Sequence, residues 1–139
     1  MRTFLFVLLV SLGSLGYAQT INAKFKPLSF DELLIQAKAE AAYKAQQKEN
    51  FQRYCDTAYK YWENKDYEGF IYYSDFALGT GFSSNSLYYD RGRAYEYLRN
   101  YKKAKKEYKK AKRNGYYPAV SALEQCVANE KNWKKMNKK

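Results

Sequence analysis

The stretch NSLYYDRGRAYEYLRNYKKAKKEYKKAKRNGYYP, Asn85 to Pro118, decides how the rest of the chain is read. Its spacing predicts two short helices folded into a hairpin. In the first half Tyr88, Gly92 and Tyr95 recur at intervals of four and three, which places them on one helical face. In the second half Tyr101, Ala104, Tyr108 and Ala111 share a face, with lysine at almost every other position. Asn100 falls at the corner. Asn114-Gly115 closes the second helix, where a residue able to take a left-handed conformation is wanted.

The same pattern occurs once more upstream. Tyr54, Ala58, Tyr61, Tyr67, Ala77, Gly81 and Phe82 precede Tyr88, Gly92, Tyr95, Tyr101, Ala111, Gly115 and Tyr116 by 34 residues each. That period, with these residues, resembles the tetratricopeptide repeat family. The family pattern runs Trp, Leu-Gly, Tyr, then Ala and Phe in the second helix, then Pro. Here Tyr88 stands for the Trp, Gly92, Tyr95 and Ala104 match, and Tyr108 replaces the Phe. Arg91 departs from the usual Leu and the closing proline has slipped to Pro118. In the first copy Thr57 replaces the Leu, Phe70 occupies the small position and Ser74 replaces the aromatic. A bulky Phe there implies a shifted packing geometry in the first hairpin. The resemblance covers Phe51 to Pro118 and implies an all-α fold: antiparallel helix hairpins stacked as a short right-handed superhelix, with N- and C-terminal capping helices. Small residues let the two helices of a hairpin approach, and tyrosines fill the space between hairpins, because one hairpin cannot bury its apolar face alone.

Working outward, residues 1–18 read as a signal peptide: an early Arg2, an apolar run from Phe4 to Val10, and Gly16 and Ala18 at the positions a signal peptidase reads. The expectation is an exported protein, periplasmic or secreted, cleaved near Ala18. No Cys follows the apolar run, which argues against a lipoprotein anchor. Cleavage leaves about 120 residues, one domain of ordinary size, and takes the formal charge from +11 to +10. Residues 19–28 form an extended leader. Ser29-Phe30-Asp31-Glu32 has the form of a capping box and opens a helix expected to end near Asn50 and to cap the first hairpin. Repeat copies follow at 51–84 and 85–118. A C-terminal capping helix, 119–133, would cover the second hairpin with Val120, Leu123, Val127 and Ala128, and a basic tail spans 134–139.

Cys55 and Cys126 lie two units apart in this register, beyond the roughly 7 Å between Cα atoms that a disulfide allows. Two free thiols are expected. The chain has no histidine, which removes His-assisted nucleophiles and the commonest metal ligand. The cysteines lack metal spacing, and no Gly-rich phosphate loop of recognised form is present. A non-enzyme is expected, with no cofactor and no metal.

Two surfaces compete as binding sites. Arg99 to Arg113 carries nine Lys or Arg against one Glu, a local charge of +8. Its basic face comprises Lys102, Lys103, Lys105, Lys106, Lys109, Lys110, Lys112 and Arg113, suited to an anionic envelope surface such as lipid head groups or an acidic polymer. Nucleic acid is disfavoured, since the lysines form no recognised nucleic-acid motif. The resemblance implies, in addition, a concave groove lined by the first helices of the hairpins. It would present Tyr59, Trp62 and Glu63 from the first copy and Tyr89, Arg93, Glu96 and Tyr97 from the second. These types suit recognition of a peptide segment of another protein. They lack the paired Lys and Asn of family members that clamp chaperone C-termini. A stack this short also leaves self-association open.

Overall fold

A computed structural model describes residues 27–138, which are all-helical: α1 (Phe30–Glu63), α2 (Tyr67–Gly79), α3 (Asn85–Tyr97), α4 (Tyr101–Arg113) and α5 (Pro118–Met136), with no strand among the described residues. The signal peptide expected over 1–18, the leader up to residue 26, and the last residue of the basic tail lie outside them. No helix among the described residues is long and apolar enough to cross a membrane.

The chain divides into two units, Met1–Glu40 and Ala41–Lys139. In the first, the expected capping box forms. The Glu32 N–H donates to Ser29 Oγ (3.3 Å), and the Ser29 N–H donates to the Glu32 carboxylate (2.7 Å). Those bonds satisfy backbone donors left orphaned at the helix start. Every described residue of this unit is exposed, Phe30, Leu33, Leu34 and Ile35 among them.

In the second unit α1 continues without a break through Asn50 and Phe51, where the sequence reading ended one helix and began the next. The local chemistry explains the continuity. No Gly or Pro interrupts Glu49-Asn50-Phe51-Gln52, and the Asn50 side chain accepts from Arg53 (3.0 Å) instead of turning back on its own backbone. Burial begins at Cys55 and Ala58. Likewise α5 runs to Met136, so Lys134 and Lys135 of the expected tail are helical.

Two corner turns are copies of one another at the 34-residue spacing. Lys65 (φ 59) and Arg99 (φ 57) take positive φ. The next residues, Asp66 and Asn100, cap the following helix by accepting from the Gly69 N–H (2.8 Å) and the Lys103 N–H (3.2 Å). Gly81 (φ 87) and Gly115 (φ 82) close the second helices in the same left-handed conformation, which glycine reaches without steric cost.

Two adjoining clusters form the core. One gathers Cys55, Ala58, Phe70, Ala77, Leu87 and Ala94; the other gathers Tyr95, Tyr101, Ala104, Tyr108 and Cys126. Gly92 is small for a visible reason: a Cβ there would stand 2.6 Å from the Tyr108 ring. Phe70 is fully buried, with the Tyr59 and Trp62 rings at 5.5 and 5.1 Å. Arg91, at the expected Leu position, is buried too. Its guanidinium reaches Asp75 of α2 (2.7 Å) and Glu107 of α4 (3.6 Å), joining three helices by charge. On α5 the covering residues are Ala119, Ala122, Leu123 and Cys126, whereas Val127 and Ala128 are exposed. The expected face is rotated toward Cys126, whose thiol the sequence reading had left out of the apolar stripe. Cys55 and Cys126 are both free and buried.

Candidate binding cleft and basic face

A cleft of about 540 Å³ opens between α3 and α5, with Tyr108 of α4 at its base. Helix α3 presents Tyr89, Arg93, Glu96 and Tyr97 on successive turns of one side, a spacing that places side chains on a common face. Opposite them α5 presents Ser121, Gln125 and Asn129, each four residues from the last. Arg99, at the corner after α3, completes the rim.

The polar groups hold each other in place. Both Glu96 oxygens are engaged: one accepts from the Tyr108 hydroxyl (3.0 Å), the other from Asn129 Nδ2 (2.6 Å). Burial first, and the Glu96 carboxylate second, raise the Tyr108 phenol well above its ordinary value, so it remains a donor. Arg93 is placed differently. Its guanidinium lies 4.9 Å from the centre of the Trp62 ring and 5.9 Å from that of Tyr89, and it meets Asp90 only at 3.5 Å. Aromatic faces attract a cation without using up its N–H donors. With its side chain 41% exposed, Arg93 keeps hydrogen-bonding capacity toward the cleft. The cleft therefore offers a guanidinium, tyrosine faces and side-chain amides around a carboxylate that is already satisfied.

No known protein family, curated protein or solved structure matches the chain.

Of the groove residues expected from the sequence, the structure brings Tyr89, Arg93, Glu96 and Tyr97 together in this cleft. Tyr59, Trp62 and Glu63 do not line it. Tyr59 is half-buried and donates to Asp90 (2.8 Å). Trp62 packs edge-on to Tyr67 and Phe70 and supports Arg93 from outside the cleft. Glu63 is exposed at the end of α1. The sequence reading missed Tyr108, Arg99 and the α5 wall. Ser121, Gln125 and Asn129 were visible as a polar stripe, but α5 was read only as a cover.

The basic face separates into two groups. Lys105 bonds Glu130 (2.5 Å), and Lys110 meets Glu107 (3.5 Å) beside the Tyr88 ring. Lys102, Lys103, Lys106, Lys109, Lys112 and Arg113 are exposed, and none of them has an ion-pair partner among the described residues.

Proposed function

We propose that the chain is a tetratricopeptide-like, non-catalytic interaction module that works outside the cytoplasm and holds an extended segment of a partner protein in the α3–α5 cleft. The observation that carries this reading is Arg93, held against aromatic rings and aimed into a polar cleft whose own carboxylate is already bonded. The repeated corner turns and the Gly92–Tyr108 contact support the family reading. They are the features expected within each hairpin of a repeat that stacks into a right-handed superhelix. An extended segment would set apolar side chains against Tyr89 and Tyr97 and a carboxylate against Arg93. Such aromatic and arginine contacts concentrate binding energy.

The test is capture of one defined partner from the producing cell's envelope extract, at low and high salt. Arg93→Ala combined with Gln125→Ala leaves the core clusters untouched. It is expected to weaken that capture by at least about tenfold, with unchanged melting, since truncating an interface hot spot costs about 2 kcal/mol. Undiminished capture by the double variant refutes the cleft reading. Export is tested separately by intact mass: recovered protein should begin at Gln19, and a chain retaining Met1 to Ala18 refutes it.

A further inference from the structure

The outer faces of α2 and α4 carry a second, unrelated surface. On α4 the core stripe Tyr101, Ala104, Tyr108 and Ala111 is buried, and so is the helix's only acid. Glu107 is 5% exposed, turned inward to Arg91 and Lys110. Its charge is thus removed from the outside. What remains outward is six cationic side chains of one sign along 13 residues, about 20 Å of helix. A merely solvated face usually mixes both signs.

Helix α2 differs at the equivalent positions. Tyr72 and Phe76 are 59% and 44% exposed and lie 34 residues before Lys106 and Lys110. They meet edge to face at 5.0 Å, and Phe76 stacks on Tyr54 at 5.5 Å. The outward apolar side chains of α2 are thus aromatic, while its aliphatic Ile71 and Leu78 pack against the core. Arg91 shows that the two halves adjoin. It binds Asp75, the neighbour of Phe76 in the chain, and Glu107, the neighbour of Lys106.

We propose that these two faces together dock the protein on an anionic phospholipid bilayer, with the α4 lysines over lipid phosphates and Tyr72 and Phe76 at head-group depth. Charge alone would suit any polyanion. The combination is specific to a membrane interface, where basic residues are drawn to anionic lipid and aromatic rings settle between the aqueous and apolar layers. No helix among the described residues is fit to span the bilayer, so the contact is peripheral. The surface uses the side of α4 opposite Tyr108, which leaves the α3–α5 cleft open. The proposal does not depend on what that cleft binds.

The experiment measures partition of the exported form, from Gln19 onward, all variants in one background, onto vesicles of equal phosphatidylglycerol and phosphatidylcholine. Pure phosphatidylcholine vesicles and soluble dextran sulfate serve as references. The wild type should bind the anionic vesicles, more weakly as salt rises, and not the neutral ones. Each basic residue near an anionic surface is worth about fivefold in partition. Lys102→Glu with Lys106→Glu and Lys109→Glu should therefore weaken vesicle binding more than about a hundredfold. Tyr72→Ser with Phe76→Ser should weaken vesicle binding by roughly tenfold and leave dextran sulfate binding unchanged. If that pair alters melting, Tyr72→Ser alone replaces it, with a smaller loss expected. Aromatic variants that hold vesicles as well as the wild type overturn the proposal, as does tighter binding to dextran sulfate than to vesicles. Absence of vesicle binding at low salt overturns it as well.

Discussion

Replacing Gly92 by Ala tests the packing on which the second hairpin depends. The added Cβ would lie 2.6 Å from both Cδ1 and Cε1 of Tyr108 and 3.0 Å from its Cζ. Tyr108 is 1% exposed and its hydroxyl is tied to Glu96, so the ring has little room to yield. Overpacking of this kind costs about 1–3 kcal/mol. Removing a mid-helix glycine returns about 1 kcal/mol. The net expectation for Gly92→Ala is a loss of up to about 2 kcal/mol. The first hairpin carries the complementary combination, Ala58 and Ser74 at the positions equivalent to Gly92 and Tyr108, and both are fully buried. In a Tyr108→Ser background the same Gly92→Ala change should therefore become stabilising by about 1 kcal/mol. The coupling between the two sites is then about 1–3 kcal/mol. Urea unfolding followed by circular dichroism measures the cycle. Sucrose should be present to hold the Tyr108→Ser background folded. A coupling below about 0.5 kcal/mol, the level seen for independent sites, refutes the contact.

Arg91→Leu, which places there the Leu of the repeat pattern that the sequence resembles, should destabilise by about 1–3 kcal/mol, because it leaves the buried Glu107 carboxylate with only the Lys110 ammonium, at 3.5 Å. Adding Glu107→Met should recover most of that loss; denaturant midpoints decide, and a harmless single change would show that Glu107 is not held by Arg91. The buried thiols of Cys55 and Cys126 are both pushed up to about 11 from an ordinary 9.0, by desolvation first and by neighbouring carboxylates second. A raised folded-state value favours the neutral thiol, so this contribution to stability is whole below pH 9.0 and is lost as pH climbs toward about 11. The Tyr59 and Tyr108 phenols are displaced in the same direction and deepen the alkaline fall. A urea midpoint that stays flat over that window contradicts their burial. Without reductant, the native protein should resist a thiol reagent and then react at both cysteines once unfolded; failure to react in the unfolded state would reveal a bond between them.

The parts of the fold most legible in the sequence are those where one residue type answers one local need. Asp66 and Asn100 start helices, Gly81 and Gly115 end them, and the period between each pair can be counted along the chain. The cleft was half legible for the same reason. Tyr89, Arg93, Glu96 and Tyr97 share a helical face by spacing alone, whereas the α5 wall depends on where a non-repeating helix comes to rest. The exposed pair Tyr72 and Phe76 was not legible. Aromatics abound along the first hairpin, and spacing cannot say which of them the core has room for.

Phe70 shows why such residues cannot be judged one at a time. In the sequence it is one departure from the pattern and Ser74 is another, and Phe70 alone implies a shifted packing geometry in the first hairpin. In the structure they form a single exchange. The first hairpin buries Ala58, Phe70 and Ser74 where the second buries Gly92, Ala104 and Tyr108. The aromatic has moved back one helical turn, and its ring now meets Trp62 and Tyr59. Ser74, left in the vacated place, satisfies its hydroxyl by donating to the Phe70 carbonyl (2.7 Å), and the position equivalent to Gly92 is the larger Ala58. Cores tolerate substitution when total volume is kept, and here it is kept to within one methylene across three positions on two helices. A repeat pattern compared position by position counts two violations there. The same residues compared by the volume they fill contain none.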